Sequence, residues 1–411
     1  MRAAPGPIPD GGTKAWIQVL CSWIILADSW GLVNSFSMYQ TYYENGLLSD
    51  TTSSAISWIG SLQGALLLIL APVSGTLYDA GYFRALLLSG LFLIIFGQFV
   101  TSFATAYWQI LLSQGICIGL GCGLVYVPST AILSQYFQRR RALVIGIAST
   151  GSPIVGIIFP VIFGKLQPII GFPWAARLIA LILLAISIIP AVAMHPRIKQ
   201  KAKVRSFIDM SAVQDPIFAL VIVGSFFVFL TLYVAFFYIQ LFAIQHDITS
   251  IDFSSYLLML LNAGSIPGRV APNYLADRLG ALRIQLSVTT ISATIMFIWL
   301  GVHNLGGLIV FALTYGLFSG GVVSVTPCLI VALSPEPDKI GTRMGMIFFV
   351  MGLAVLIGTP IAGALLGSGD GSNWRNTITY GGGSLMIGAL AYAGAAFISW
   401  KQQRHHWDRE L

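Results

Sequence analysis

NYLADRLGALR, residues 273–283, and GTLYDAGYFR, residues 75–84, each follow an apolar run and combine an Asp, a Gly and a downstream Arg, and their aspartates, Asp79 and Asp277, stand 198 residues apart. Two further pairs keep nearly the same offset. GLGCGLVYVPS at 119–129 answers SGGVVSVTPC at 319–328, with Pro128 and Pro327 separated by 199 residues. Arg141 with Pro160 answers Arg343 with Pro360, at offsets of 202 and 200. Three features in one register mark an internal duplication into two parallel halves, an arrangement common in membrane transporters.

Composition says what the halves are made of. Soluble domains carry about 25% charged residues, whereas this 411-residue chain has 9%, with 56% apolar. At a mean hydropathy of +0.82, an aqueous globule would expose large apolar patches, so the solvent is a bilayer. A helical crossing needs about 20 apolar residues. Runs bounded by Gly, Pro or charge give twelve spans, near 14–40, 53–78, 83–104, 106–132, 142–164 and 174–194, then 216–243, 253–275, 283–302, 305–332, 344–367 and 376–400. The longest polar run, HPRIKQKAKVRSFIDMSAVQD at 195–215, divides them six and six. The expected fold is an all-α membrane protein of twelve transmembrane helices, with halves at 1–194 and 216–411 and a cytoplasmic linker at 195–215.

With both termini in the cytoplasm, 18 of the 22 Lys and Arg residues fall in inside segments, the bias that fixes topology. The net charge of +7 is thus spread along one membrane face and not gathered with aromatics, which excludes a nucleic-acid surface. The first span is expected to act as an uncleaved signal anchor. Cys21, Cys117, Cys122 and Cys328 lie in apolar stretches and read as core residues. The five histidines lack metal-ligand spacing and no phosphate-binding GxxxxGK[ST] occurs. Neither an enzyme, a metal, a cofactor nor an ATP-driven pump is expected. The expected partners are a small organic solute, protons and the plasma-membrane bilayer, with one chain sufficient for function.

Within the spans, charge is rare and therefore informative. Arg269 shares an i, i+3, i+7 stripe with Asn262 and Ser265, making one face of the eighth helix polar. Such a cation either faces a cavity or snorkels to the interface. Asp28 is the one acid placed inside a span, and a carboxyl removed from water can carry a proton. Six residues on, Asn34 lies about 120° around a regular helix, so the two are expected to touch a cavity from opposite edges. Tyr126 is a further candidate lining residue, with Gln63, Gln114, Tyr233, Tyr238 and Gln240 as weaker ones. At the basic end, Asp79 and Asp277 can accept hydrogen bonds from the unpaired N–H groups of a neighbouring helix N-terminus.

LADRLG at 275–280 resembles the loop signature of the major facilitator superfamily. PDGGTKAW at 9–16 with GLVNSFSMYQTYY at 31–43, and YFQRRRALVIGIASTG at 136–151, are similar to motifs of the monocarboxylate porters in their fungal form. The likeness covers essentially the whole chain. It implies a rocker-switch porter in which Asp79, Arg84, Asp277, Arg278 and Arg141 form latches between halves, and Arg269 holds a substrate carboxylate beside Asn34, Asn262, Ser265 and Tyr126. Asp28 would carry the coupling proton. The chain departs from the animal pattern, with Ser265 where an acid stands one turn before the arginine and Asn34 where a lysine is expected. The implied activity is secondary transport of a carboxylate or other organic anion by alternating access, with uptake of a neutral or vitamin-like nutrient, or a transporter-like receptor, as alternatives.

Overall fold

The computed structural model describes residues 8–197, 209–334, 340–366 and 373–410, without the side chains of residues 45, 53, 79, 251, 252, 255 and 403–410. In the first half, α1 spans Thr13–Tyr42, α2 Ser54–Tyr78, α3 Phe83–Thr101 and α4 Tyr107–Tyr136. The next helical stretch, Arg141–Ala193, has 53 residues. Straight, it would measure roughly 80 Å, far more than a hydrocarbon core of about 30 Å. The chain turns at Gly171, whose φ of 76° is a left-handed value that glycine adopts without strain. Residues 141–170 are therefore α5 and residues 172–193 α6.

The second half contains α7 Pro216–Gln245, α8 Ile251–Leu279, α9 Ala281–Gly301, α10 Leu305–Ala332 and α11 Ile340–Leu366, and α12 Trp374–Glu410. Among the described residues, ten helices are long and apolar enough to cross a membrane. Separating α5 from α6 and adding the 29-residue α8 gives twelve passes. The expected spans and the observed helices agree to within a few residues at most ends.

The first helix is not straight. Its ladder breaks at Ser29 and Ser35, whose hydroxyls donate to the carbonyls of Ile25, at 2.6 Å, and Gly31, at 2.8 Å. Serine bonds back to the preceding turn in this way and bends helices. Each break resets the direction in which following side chains point.

Backbones approach closely where the halves meet. On one side Gly345 of α11 abuts Pro72 and Gly352 abuts Ile69, with Ser61 and Thr359 joined through their hydroxyls. On the other, Gly146 of α5 lies against the Arg269 carbonyl and Gly156 against the Asn262 amide. Small residues permit this contact where lipid supplies no hydrophobic drive. The outer surface is apolar, with Phe92, Ile169, Val192 and Leu390 among the most exposed side chains, as lipid contact requires.

The segments beside the 195–215 run are fastened at both ends. The N–H of Arg197 donates to Gln135 Oε1 at 2.9 Å and that of His195 to Gln18 Oε1 at 3.1 Å. At the other end, Arg343 Nε pairs with Asp209 Oδ2 at 3.0 Å, while Arg343 also donates to the Leu333 carbonyl.

Candidate functional site between the halves

Between the halves lies a buried cation, Arg269. Arg269 is 3% exposed, so its side chain does not reach an interface, and Nε donates to Ser265 Oγ at 3.2 Å. Among the described residues it has no ion-pair partner; its electrostatic neighbours are the phenols of Tyr233 and Tyr126. The stripe on α8 supplies Ser265 because i and i+4 share a face. Asn262, by contrast, turns toward α5: its amide donates to Leu258 O at 3.1 Å and lies against Gly156. The stripe therefore divides between two neighbours.

Aromatic rings from both halves pack against the two phenols beside the cation. Trp30 of α1 stacks on Tyr233 of α7, with centroids 5.8 Å apart and planes at 8°. Tyr126 meets Trp30 edge-on at 5.9 Å and Phe348 of α11 at 5.5 Å. Asn34 sits one turn beyond Trp30 on the same face, buried, with neither amide atom hydrogen-bonded among the described residues. The Tyr233 hydroxyl likewise has no partner among them. Buried polar atoms normally find partners, so this cluster has unused recognition capacity. Trp30 and Phe348 were not legible as site residues; only the i, i+4 relation of Trp30 to Asn34 pointed that way.

Asp28 does not share this space. Its carboxylate is fully buried and accepts from Ser187 Oγ on α6 at 2.8 Å, with Oδ1 unpartnered among the described residues. The expected placement at one edge of a cavity shared with Asn34 is not what the fold gives, because the break at Ser29 resets the helical phase. Gln114 accepts from Tyr43 at 2.7 Å, and Tyr238 donates to the Thr359 carbonyl at 3.1 Å. Both are spent on helix contacts.

At the basic end, Asp277 accepts from the N–H of Ala142 at 3.3 Å and of Leu143 at 3.1 Å, the first turn of α5. Gly280, with φ 93°, ends α8 just beyond it. Arg141 starts α5 without an ion-pair partner among the described residues. Arg278 lies over the Tyr274 ring at 4.4 Å, and Arg84 is exposed. Asp79 ends the helix that continues α2, and its side chain lies outside the described residues. The N-terminal Asp10, which drew no separate attention in the sequence, accepts from the N–H groups of Gln138 and Arg139.

A cavity of about 420 Å³ opens at this end between the halves, lined by Tyr78, Thr130, Gln138, Arg141, Pro327 and Met344. Its inner wall includes Val127, next to Tyr126. Toward the opposite end, Phe36 meets Phe237 across the halves, and Tyr39, Tyr42, Tyr43, Phe163 and Phe172 pack together. The arrangement is a buried aromatic and polar cluster between the halves, with a cavity at the basic end and packed aromatic rings at the other.

The comparisons fit that geometry. The chain is 38% identical over 378 residues to the MFS-type transporter dbaD of Emericella nidulans, covering 92% of this chain and 85% of that one. It is 34% identical to the aspyridones efflux protein apdF of the same organism, covering 96% and 80%. The human organic anion transporter MFSD10 (TETRAN) has the same fold, with a TM-score of 0.68 at 15% identity, over 92% of this chain and 98% of that one. The Major Facilitator Superfamily profile matches residues 19–303 and 221–409. On these grounds the chain is a multi-pass membrane transporter belonging to the Major Facilitator Superfamily.

Proposed function

We propose that this transporter exports a small organic acid by alternating access, with Arg269 holding the acidic group. The observation that carries this reading is the buried guanidinium with no acid partner among the described residues, set between the halves beside Tyr126 and Tyr233. A guanidinium pairs with a carboxylate through two parallel hydrogen bonds, and burial removes competing water. The fungal monocarboxylate-porter likeness of the motifs at 9–16 and 136–151 supports an acidic solute. Relatives named as efflux proteins for aspyridones and fujikurins, each 34% identical, favour export. The cavity at the basic end offers an entry from the cytoplasm when both termini lie there, as the Lys and Arg distribution favours, in a plasma membrane.

In this reading residues 1–194 and 216–411 are the rocking halves, and Asp277 on the first turn of α5 is the latch, with Asp79, Arg84, Arg278 and Arg141 as its counterparts. Asp28 carries the coupling proton inside the first half. Asn34, Ser265 and Tyr126 contribute to the solute site with Arg269, and Asn262 supports it through the α5 contact. A single chain is sufficient.

The test compares metabolites inside and outside fungal cells lacking the protein or overexpressing it as wild type, Arg269→Lys or Arg269→Ala. Lysine keeps the charge and loses the two-pronged geometry, so both variants should export at least about tenfold less of the dependent solutes. Those solutes should be acids. Full export by surface-localised Arg269→Lys, or a dependent set that is neutral, would overturn the assignment.

A further inference from the structure

Trp30 and Tyr233 belong to opposite halves, are 2% and 4% exposed, and lie parallel. Beside them the Tyr233 hydroxyl and both amide atoms of Asn34 have no hydrogen-bond partner among the described residues, and Arg269, bonded to Ser265, is the cation next to Tyr233. Packing alone accounts for two stacked rings, since aromatic pairs favour such offsets. It does not account for buried donors left without acceptors beside them, each of which costs free energy while unpaired. Parallel aromatic faces combined with free donors complement a ligand that is flat, apolar on both faces and acidic at its edge.

We infer that the solute class of this transporter is the planar, π-conjugated organic acid, whose ring enters between Trp30 and Tyr233 while its acidic oxygens meet Arg269. This deepens the organic-acid reading and rests on it. A ring in contact with both faces needs about 7–8 Å between them, and rings already stacked on each other have to part to admit it. Trp30 rides on α1 and Tyr233 on α7, so parting them moves one half against the other. The stack is then a clasp between the halves that the solute replaces with its own two faces. A saturated acid of equal size fills the space without matching either face.

The experiment titrates purified protein in lipid nanodiscs with three probes of matched size, naphthoate, decahydronaphthoate and naphthamide, by calorimetry. Wild type should bind naphthoate about tenfold more tightly than its saturated counterpart, the scale of a ring stacked on aromatic side chains. Trp30→Leu and Tyr233→Leu should erase that ratio and keep the preference for naphthoate over naphthamide. Trp30→Phe, which keeps a ring in the same place, should retain both preferences, and Arg269→Gln should lose only the preference for charge. The inference is overturned if wild type does not distinguish the flat from the saturated acid, if folded leucine variants keep the ratio, or if naphthoate does not bind at millimolar concentration. Equal binding of naphthamide with the aromatic ratio intact would sink the organic-acid reading alone, so the two failures are told apart.

Discussion

Asp28 and Trp30 are two residues apart and serve different neighbours, one bonded to Ser187 of α6 and the other stacked on Tyr233 of α7. In the proposed mechanism a proton on Asp28 would therefore act through the packing of α1 and not by touching the solute. Asp28→Asn, which keeps the shape and a bond to Ser187, should flatten the pH dependence of export while leaving probe affinity at fixed pH within about twofold, since the polar partner survives. Transport retaining its full pH dependence in that variant would take Asp28 out of coupling. The sequence made Asp28 and Arg269 conspicuous because charges in apolar runs are costly. It did not tell which neighbour each would face. Counting 3.6 residues per turn holds only along an unbroken helix, and Ser29 and Ser35 interrupt this one with hydroxyls whose bonding to the previous turn leaves no trace in hydropathy.

The start of α5 is tied from two sides at the basic end. Asp277 of the second half holds the N–H groups of Ala142 and Leu143, and Asp10 holds those of Gln138 and Arg139 just before them. Those two backbone donors, with the positive charges of Arg139 and Arg140, keep the Asp10 carboxyl below its ordinary value of 3.8. A lowered folded-state value means that the tie is at full strength at neutral pH and fades as the carboxyl protonates on acidification. Peptic cleavage around residues 137–140 in wild type, measured relative to Asp10→Ala, should therefore rise as the pH falls below about 4. Asp10→Ala should already expose Arg139 and Arg140 to trypsin at neutral pH, about fivefold faster, as for loss of a helix cap. Equal tryptic rates in wild type and variant would show that the tie does not hold the loop. The motif containing Asp277 was legible because its Asp precedes a Gly that must end the helix. Asp10 was not, since an acid in a Pro- and Gly-rich segment looks like any solvated loop residue until the fold brings the 137–140 backbone to it.

Across the whole molecule, duplication and hydropathy made the fold readable, because a bilayer allows few ways to satisfy a backbone and a repeated set of helices restricts them further. The pairing of faces was less readable, as small residues that let α5 meet α8 and α2 meet α11 also occur where helices of one half touch. Topology remains open to a direct measurement. Lys401→Cys, exposed near the end of α12 in a chain whose native cysteines are buried or partly so, should react with an impermeant maleimide only after cells are permeabilised; labelling of intact cells would invert the orientation. The moorings at Arg197 and Asp209 carry a further consequence. They are fastened to different halves, through Gln135 and Arg343, and are 12 residues apart, a tether that extends at most about 40 Å. Such a short tether keeps its two bodies at an effective concentration of about the millimolar range. A chain severed within that stretch would keep each mooring on its own body and lose only enforced proximity. Its activity would then depend on how densely the two fragments populate the membrane, as that of an ordinary heterodimer does.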